Sequence, residues 1–288
     1  MSEWERAYPA PAKLNLFLHV VGRRPDGYHL LQSLFRLIHF GDTLRFAPRD
    51  DGRIVRMNPL EGVSEESDLC LRAARLLQAE SGCRQGVGIA LEKRLPLGGG
   101  LGGGSSDAAT VLLALNRLWG LNWPRIRLQA LGLRLGADVP FFVFGRNAFV
   151  EGIGEVLQAV DLPPAWYVVL APKASVPTAE IFAAPNLTRD TKPLKMADFS
   201  AGWGKVSDEL MGRNDLEPVV CERYPQVARA LAWLQQRAAA RMTGSGACIF
   251  APFSAERDAR AVLAQLPADM TGWVARGLDE HPLRALAD

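Results

Sequence analysis

A chain of 288 residues with 48% hydrophobic and 22% charged side chains has ordinary globular usage. That excludes intrinsic disorder, and the lack of any repeat period excludes collagen-like or low-complexity architecture. Lys+Arg 33 against Asp+Glu 31 leaves a net charge of +2, too even for a dedicated nucleic-acid binder, so a small-molecule partner is expected. The length corresponds to about two domains.

In chain order, Leu14, Leu16, Leu18 and Val20 alternate with Lys13, Asn15, Phe17 and His19, which predicts a strand over Lys13–Val21 with one face in the core. Arg23 to Gly27 reads as a turn, with Pro25 presetting φ and Gly27 tolerating a positive φ. The apolar run Leu30–Phe40 should return antiparallel, and a Gly41–Asp42 turn should lead to a short strand, Thr43–Phe46. Helical spacing of Leu69, Ala73, Leu76 and Leu77 predicts a helix over Ser67–Ser81, stopped by Gly82. A strand follows at 86–93. Ser105, Ser106 and Asp107 suit the start of a helix over Ala108–Trp119, and Pro124 suits the first turn of a helix to Leu135.

Beyond Ala148 the pattern changes. Strands are expected at Trp166–Ala171, Ala247–Ala251 and Trp273–Arg276, and helices at Ser207–Ala240 and Ala255–Leu266. Residues 172–200 form a loop rich in turn formers, and Gly244, Ser245 and Gly246 a second glycine turn. Strands and helices without strict alternation indicate two α+β domains with a boundary near 150–165. Cys70, Cys83, Cys221 and Cys248 form no C-x-x-C pair and do not join His19, His29, His39 or His281 at zinc spacing. They read as structural thiols of a cytoplasmic protein. No stretch reaches the ~18 apolar residues that span a bilayer, and the start does not read as a signal peptide. No heptad or exposed apolar stripe marks an oligomer, so oligomeric state is unknown.

The most informative segment is Pro96 to Ser106, a glycine run interrupted only by Leu101 and leading into a helix. Bare glycines let a ligand approach the main chain and permit φ > 0, so successive N–H groups can converge on one anion. The helix start adds positive partial charge, and Ser105 and Ser106 can add hydroxyl donors. This chemistry describes a phosphate site; a flexible linker would not be wedged between a strand and an apolar helix. Gly98, Gly100 and Gly103 formally satisfy G-x-G-x-x-G, yet Leu118–Leu131 contains no acid for the ribose of a dinucleotide. No Walker lysine follows Gly104, and H-R-D and D-F-G are absent.

The segment Pro96–Ala109 resembles the ATP loop of the GHMP kinases. Ala12–Leu18 with Arg24–His29, and Leu135–Phe141, are similar to the branch of that family that phosphorylates a cytidine-diphosphate-linked sugar alcohol in the non-mevalonate isoprenoid route. Met242–Ala247 resembles the family's third glycine motif, and the resemblance runs in order from residue 9 to about residue 277.

The resemblance implies a two-domain α+β architecture: an S5-like N-terminal α/β domain over residues 1–157 and a ferredoxin-like C-terminal domain over 158–288. It implies ATP-dependent phosphorylation of the 2-hydroxyl of a diphosphocytidyl-linked methylerythritol, with Mg2+ expected and its protein ligands unknown. An Asp before Val139–Pro140 reads about equally as a general base or as a turn former or cap; the resemblance makes Asp138 the base and places Lys13 beside it to offset transition-state charge. ATP would lie on Lys93, Pro96, Leu97, Gly98, Gly99, Gly100, Leu101, Gly102, Gly103, Gly104, Ser105 and Ser106. Asn15, on the face of Lys13, would contact substrate, with Thr178 and Ser245 near phosphate. Tyr28 and His29 suit stacking on a flat base and bonding its edge, and the resemblance puts cytosine there with Phe182 on the opposite face. Competing readings are another GHMP kinase, a nucleotide-binding module without turnover, and an NAD-dependent oxidoreductase.

Overall fold

The computed structural model describes residues 2–195 and 212–288. Strands β1 (Tyr8–Arg23) and β2 (His29–Arg49) pair antiparallel along their whole length, from Tyr8 opposite Leu44 to Arg23 opposite His29. β1 does not keep one face in the core and one in water. Lys13, Asn15, Phe17 and His19 are as buried as the leucines between them. The reason lies at its second edge, which docks on other segments: Lys13 N donates to the Leu101 carbonyl at 3.0 Å, and Leu18 N to that of Arg213 at 2.9 Å.

The expected Gly41–Asp42 turn is absent, and β2 runs straight through it. Gly41 faces Pro11 where the register shifts, and a Cβ there would lie 2.1 Å from the Ala10 carbonyl oxygen. Glycine serves close strand approach here, and no reversal occurs.

The remaining elements of the first half are β3 (Ile54–Arg56), α1 (Leu69–Ser81), β4 (Gly86–Glu92), α2 (Gly103–Leu118), α3 (Arg125–Leu133), α4 (Val139–Phe144), β5 (Ala148–Gly152) and β6 (Val156–Ala159). Asp68 caps α1 by accepting from Cys70 N at 2.8 Å, and Gly82 ends it at φ +69°. β4 pairs with the C-terminal part of β2 and β5 with its N-terminal part. The helices cover one face of this sheet, burying Leu71, Leu77, Val111, Leu112, Leu115, Phe141 and Val143 with Leu37, Leu44 and Val87.

The second half contains β7 (Trp166–Leu170), α5 (Thr178–Phe182), α6 (Glu217–Arg223), α7 (Pro225–Gln235), β8 (Arg241–Met242), β9 (Ile249–Phe253), α8 (Glu256–Leu263) and β10 (Gly272–Leu278). Its sheet order, β10-β7-β9-β8, is antiparallel throughout and ferredoxin-like. Of the long helix expected over Ser207–Ala240, residues 207–211 lie outside the described residues. The rest is helical only from Glu217 and breaks at Tyr224, where Pro225 disfavours a helical neighbour. The loop expected over 172–200 carries α5, and its part beyond 195 is outside the described residues.

Gly277 and Leu278 of β10 pair with Ile38 and Leu37 of β2, so the two halves share one ten-stranded sheet. A division between residues 157 and 158 falls inside β6. Residues after β10 return to the first half, where Leu283 and Ala287 join its core. Cys70 and Cys248 are buried, Cys83 and Cys221 half-buried, and all are free thiols. No helix among the described residues is long and apolar enough to cross a membrane.

Candidate active site

β1 carries Lys13 and Asn15 side by side into the interior. Lys13 Nζ lies 3.4 Å from Asp138 Oδ2 and 4.7 Å from the centroid of the Phe35 ring, and it donates to Asn15 Oδ1. Its side chain is 4% exposed, that of Asp138 31%, so the carboxylate faces open space with the ammonium behind it. Asp138 lies in the turn before Val139, but the segment that follows is helical and not extended. It stands at the start of α4, in helical geometry, and its side chain caps nothing. Its oxygens are therefore not engaged by the helix.

Asn15 is held on every side. Its main-chain N donates to Thr243 Oγ1 at 2.9 Å, and its Nδ2 to Ser33 Oγ at 2.9 Å. This fixes Oδ1 toward Lys13 and so fixes the ammonium against Asp138. Asn15 lines the cavity, but its principal contacts make it the anchor of Lys13.

The glycine loop alternates backbone hand. Gly98, Gly100 and Gly102 have φ of +67°, +74° and +71°. α2 starts at Gly103, not at Ala108, and the residue before it is Gly102 with no side-chain cap. The expectation that Ser105, Ser106 and Asp107 open the helix is corrected accordingly: they lie within its first turns. The loop is clasped from both sides. Leu101 is buried and its carbonyl receives Lys13 N, while Gly99 O accepts from Cys248 N at 3.1 Å. A Cβ on Gly100 would stand 2.2 Å from the Thr243 carbonyl oxygen, and one on Gly102 2.9 Å from the Phe142 ring. Gly244 (φ +57°) meets Gly100 from the second half, and Asn214 Nδ2 secures it by donating to the Met242 and Gly244 carbonyls, both at 2.8 Å. No main-chain N–H of Gly98 to Gly102 donates to a described protein group. The carbonyls of Gly99, Leu101 and Gly102 accept from protein donors while the amides of this cavity-lining stretch do not donate to the described protein, an arrangement suited to an anion.

Two expected phosphate contacts are engaged elsewhere. Ser106 Oγ is fully buried and donates to the Pro11 carbonyl at 2.7 Å, and its N–H goes to Gly102 O at 2.8 Å. Lys93 Nζ is shared between Asp42 at 2.6 Å and Asp107 at 2.7 Å. Burial disfavours its charge, but these two carboxylates outweigh that and raise its pKa. Lys93 edges the cavity and acts mainly as the tie between β2, β4 and α2. Asp42 also accepts from Arg94 N and Leu95 N, at 2.6 and 2.8 Å, and so fixes the approach to the glycine loop.

At the far end, Tyr28 projects from the turn after β1 and is 62% exposed. Asp26 Oδ1 accepts from its N–H at 3.1 Å, and Gly27 holds φ +93°. His29 and Phe182 do not face each other across a gap. Their centroids are 4.9 Å apart at 31°, in direct contact, so no base fits between them. The open aromatic face belongs to Tyr28, with the His29–Phe182 pair as the wall beside it. Thr178 Oγ1 and Ser245 Oγ meet at 2.7 Å, joining α5 to the second glycine turn.

One cavity of about 1090 Å3 takes in Lys13, Asn15, Tyr28, His29, Lys93, the glycine loop from Pro96 to Ser105, Asp138, Thr178, Phe182 and Ser245. Sequence reasoning missed Phe35, Asp42, Thr243 and Arg189, which hold the named residues in place. Only Thr243 carried a signal, as the neighbour of Gly244 in the second glycine motif. The others sit in apolar or turn-like stretches that contain no motif.

This fold and this site define a small-molecule kinase of the GHMP class. The family "GHMP kinases N terminal domain" matches residues 68–146, and "GHMP kinases C terminal" matches residues 202–272. The 4-diphosphocytidyl-2-C-methyl-D-erythritol kinase of Thiobacillus denitrificans is 67% identical over 278 residues, covering 96% of this chain and 97% of that protein. The protein of the same name from Dechloromonas aromatica is 59% identical, covering 97% and 100%. A crystal structure of 4-(cytidine 5'-diphospho)-2C-methyl-D-erythritol kinase superposes with a TM-score of 0.80 at 35% identity, over 94% of this chain and 99% of that one. A mevalonate kinase structure shares the fold, with a TM-score of 0.69 at 16% identity over 96% and 100%. The chain belongs to the 4-diphosphocytidyl-2-C-methyl-D-erythritol kinase family.

Proposed function

We propose that this chain transfers the γ-phosphoryl group of ATP to the 2-hydroxyl of 4-diphosphocytidyl-2-C-methyl-D-erythritol, in the cytoplasm and as a step of isoprenoid precursor synthesis. The observation that carries this reading is the Lys13–Asp138 pair, 3.4 Å apart, on the wall of the same cavity as the unpaired amides of the glycine loop. The nucleotide's phosphates lie on those amides and on the start of α2. Asp138 accepts the proton of the attacking hydroxyl as the new P–O bond forms, which raises the nucleophilicity of an otherwise poor nucleophile. Lys13, held by Asn15 and Phe35, offsets the charge that spreads over the transferring phosphoryl oxygens. Tyr28 stacks on the cytosine, with His29 and Phe182 along its side, and Thr178 and Ser245 flank the diphosphate. The ATP-binding domain expected over 1–157, extended to the end of β6 at Ala159, carries the glycine loop with Tyr28 and His29, and the residues after it bring Thr178, Phe182 and Ser245 to the cavity.

Magnesium accompanies the nucleotide. No group of three His, Cys, Asp or Glu gathers among the described residues, and Asp26 and Asp138 are the only carboxylates among those that line the cavity. Such a donor set suits an ion held chiefly by phosphate oxygens and water. The Ser105 hydroxyl, which lines the cavity without a described partner, would hold it from the protein side. When bound, the ion would offset negative charge on the nucleotide's phosphates.

A coupled ADP-release assay tests the reading. ADP should appear with the diphosphocytidyl substrate and not with mevalonate or homoserine. Asp138→Asn should lower kcat by roughly 10²–10⁴-fold while ATP still binds. Near-normal turnover in that variant would remove Asp138 from the base role.

A further inference from the structure

One guanidinium ties together the walls of the base end. Arg189 follows α5 and turns back onto it: Nη2 donates to the carbonyls of Phe182 at 2.9 Å and Ala184 at 2.7 Å, and Nη1 to that of Leu187 at 3.1 Å. Its Nε–H goes to His29 Nε2 at 3.1 Å. The same side chain thus holds the main chain of Phe182 and the ring of His29, which pack on each other.

This contact determines where His29 carries its hydrogen. An arginine stays protonated and offers no lone pair, so it can only donate. His29 Nε2 is therefore the acceptor, and the neutral ring bears its hydrogen on Nδ1. A second hydrogen on Nε2 would oppose the Nε–H of a cation. No described group bonds Nδ1, and the residue lines the cavity.

We propose that Arg189 is a positioning residue: it holds His29 in the Nδ1–H form against Phe182, making His29 a hydrogen-bond donor toward the acceptor edge of the pyrimidine. Cytosine presents two adjacent acceptors, N3 and O2, on one edge. The opposite tautomer would turn a lone pair toward those atoms. The proposal rests on the reading that Tyr28, His29 and Phe182 form the base pocket. The competing role is a plain cap on the carbonyls that end α5.

Side-chain nitrogen NMR of the ¹⁵N-labelled full chain separates the two. The chain has 4 histidines, and loss of one signal in His29→Gln assigns the ring. The wild type should show His29 protonated at Nδ1, and a ring protonated at Nε2 would overturn the proposal without need of any Arg189 variant. Arg189→Met, of similar length but with no donor, should move the ring toward the Nε2–H form. It should raise KM for the diphosphocytidyl substrate about tenfold, with kcat and KM for ATP within about twofold. Arg189→Lys, which also can only donate, should restore the Nδ1–H signal and most of the KM. An unchanged tautomer in Arg189→Met, or equal losses in KM for both substrates, would leave Arg189 a helix cap and overturn the proposal. A wild type that does not turn over the diphosphocytidyl substrate would instead defeat the substrate reading, and the tautomer measurement would still report on Arg189.

Discussion

The two ends of the cavity are built from different materials. The end proposed for phosphate is main chain: three glycines at positive φ, backed by Leu101 and clasped by Lys13 N and Cys248 N, present amides that no described protein group uses. The end proposed for the base is side chain: an exposed Tyr28 beside a His29–Phe182 pair that Arg189 holds from behind. Triphosphates differ little among nucleotides, so a rigid, side-chain-free cradle suits them. Bases differ in their edges, and edges are read by side chains whose donors and acceptors can be set individually. Substitutions should accordingly act on the phosphate end through backbone geometry and on the base end through recognition.

The largest contrast is expected at Gly100. A Cβ there meets the Thr243 carbonyl oxygen at 2.2 Å on a backbone at φ +74°, where a non-glycine residue costs roughly 1–2 kcal/mol before any clash. Gly100→Ala should raise KM for ATP by about tenfold or more, and KM for the diphosphocytidyl substrate much less. Equal effects on both would dissolve the division between the two ends. Tyr28→Ala should show the reverse preference. Loss of a stacking platform worth about 1–3 kcal/mol raises KM for the diphosphocytidyl substrate and leaves KM for ATP in place. An unchanged KM would take Tyr28 out of the pocket. Ser106→Ala, the smallest effect, sharpens the boundary of the cradle. Its hydroxyl serves the Pro11 carbonyl, so thermal or urea unfolding should show a loss of about 1 kcal/mol while KM for ATP stays constant. A marked rise in that KM would return Ser106 to the phosphate contacts.

The same division governs what could be read from the sequence. That the glycine loop and Tyr28 and His29 line one cavity was legible because the loop's chemistry lies in consecutive glycines and the two rings follow a turn. The β1 alternation located the strand but misjudged its exposure, since Lys13 and Asn15 are buried by segments far along the chain. Gly41–Asp42 looks like a reversal by composition, whereas the glycine is there to let Ala10 and Pro11 pass and the aspartate to hold Lys93 and the approach to the loop. Serines and an aspartate before an apolar run imitate a helix cap, yet a left-handed Gly102 lets α2 begin earlier. Local pattern cannot register Phe35 or Arg189, and it marks Thr243 only as a neighbour of Gly244; the value of all three comes from residues brought to them by the fold. The Thr243 contact to Asn15 bridges 228 positions of chain, and the Arg189 contact to His29 bridges 160.

The pairing of Gly277 and Leu278 with β2 has a mechanical consequence. Ladder pairing at these two positions joins the two halves edge to edge, which opposes their swinging apart as hinged shells around a ligand. With the sheet as a stiff chassis, adjustment around a ligand falls to the cavity's rims, and the Tyr28 turn and the α5 segment both line it.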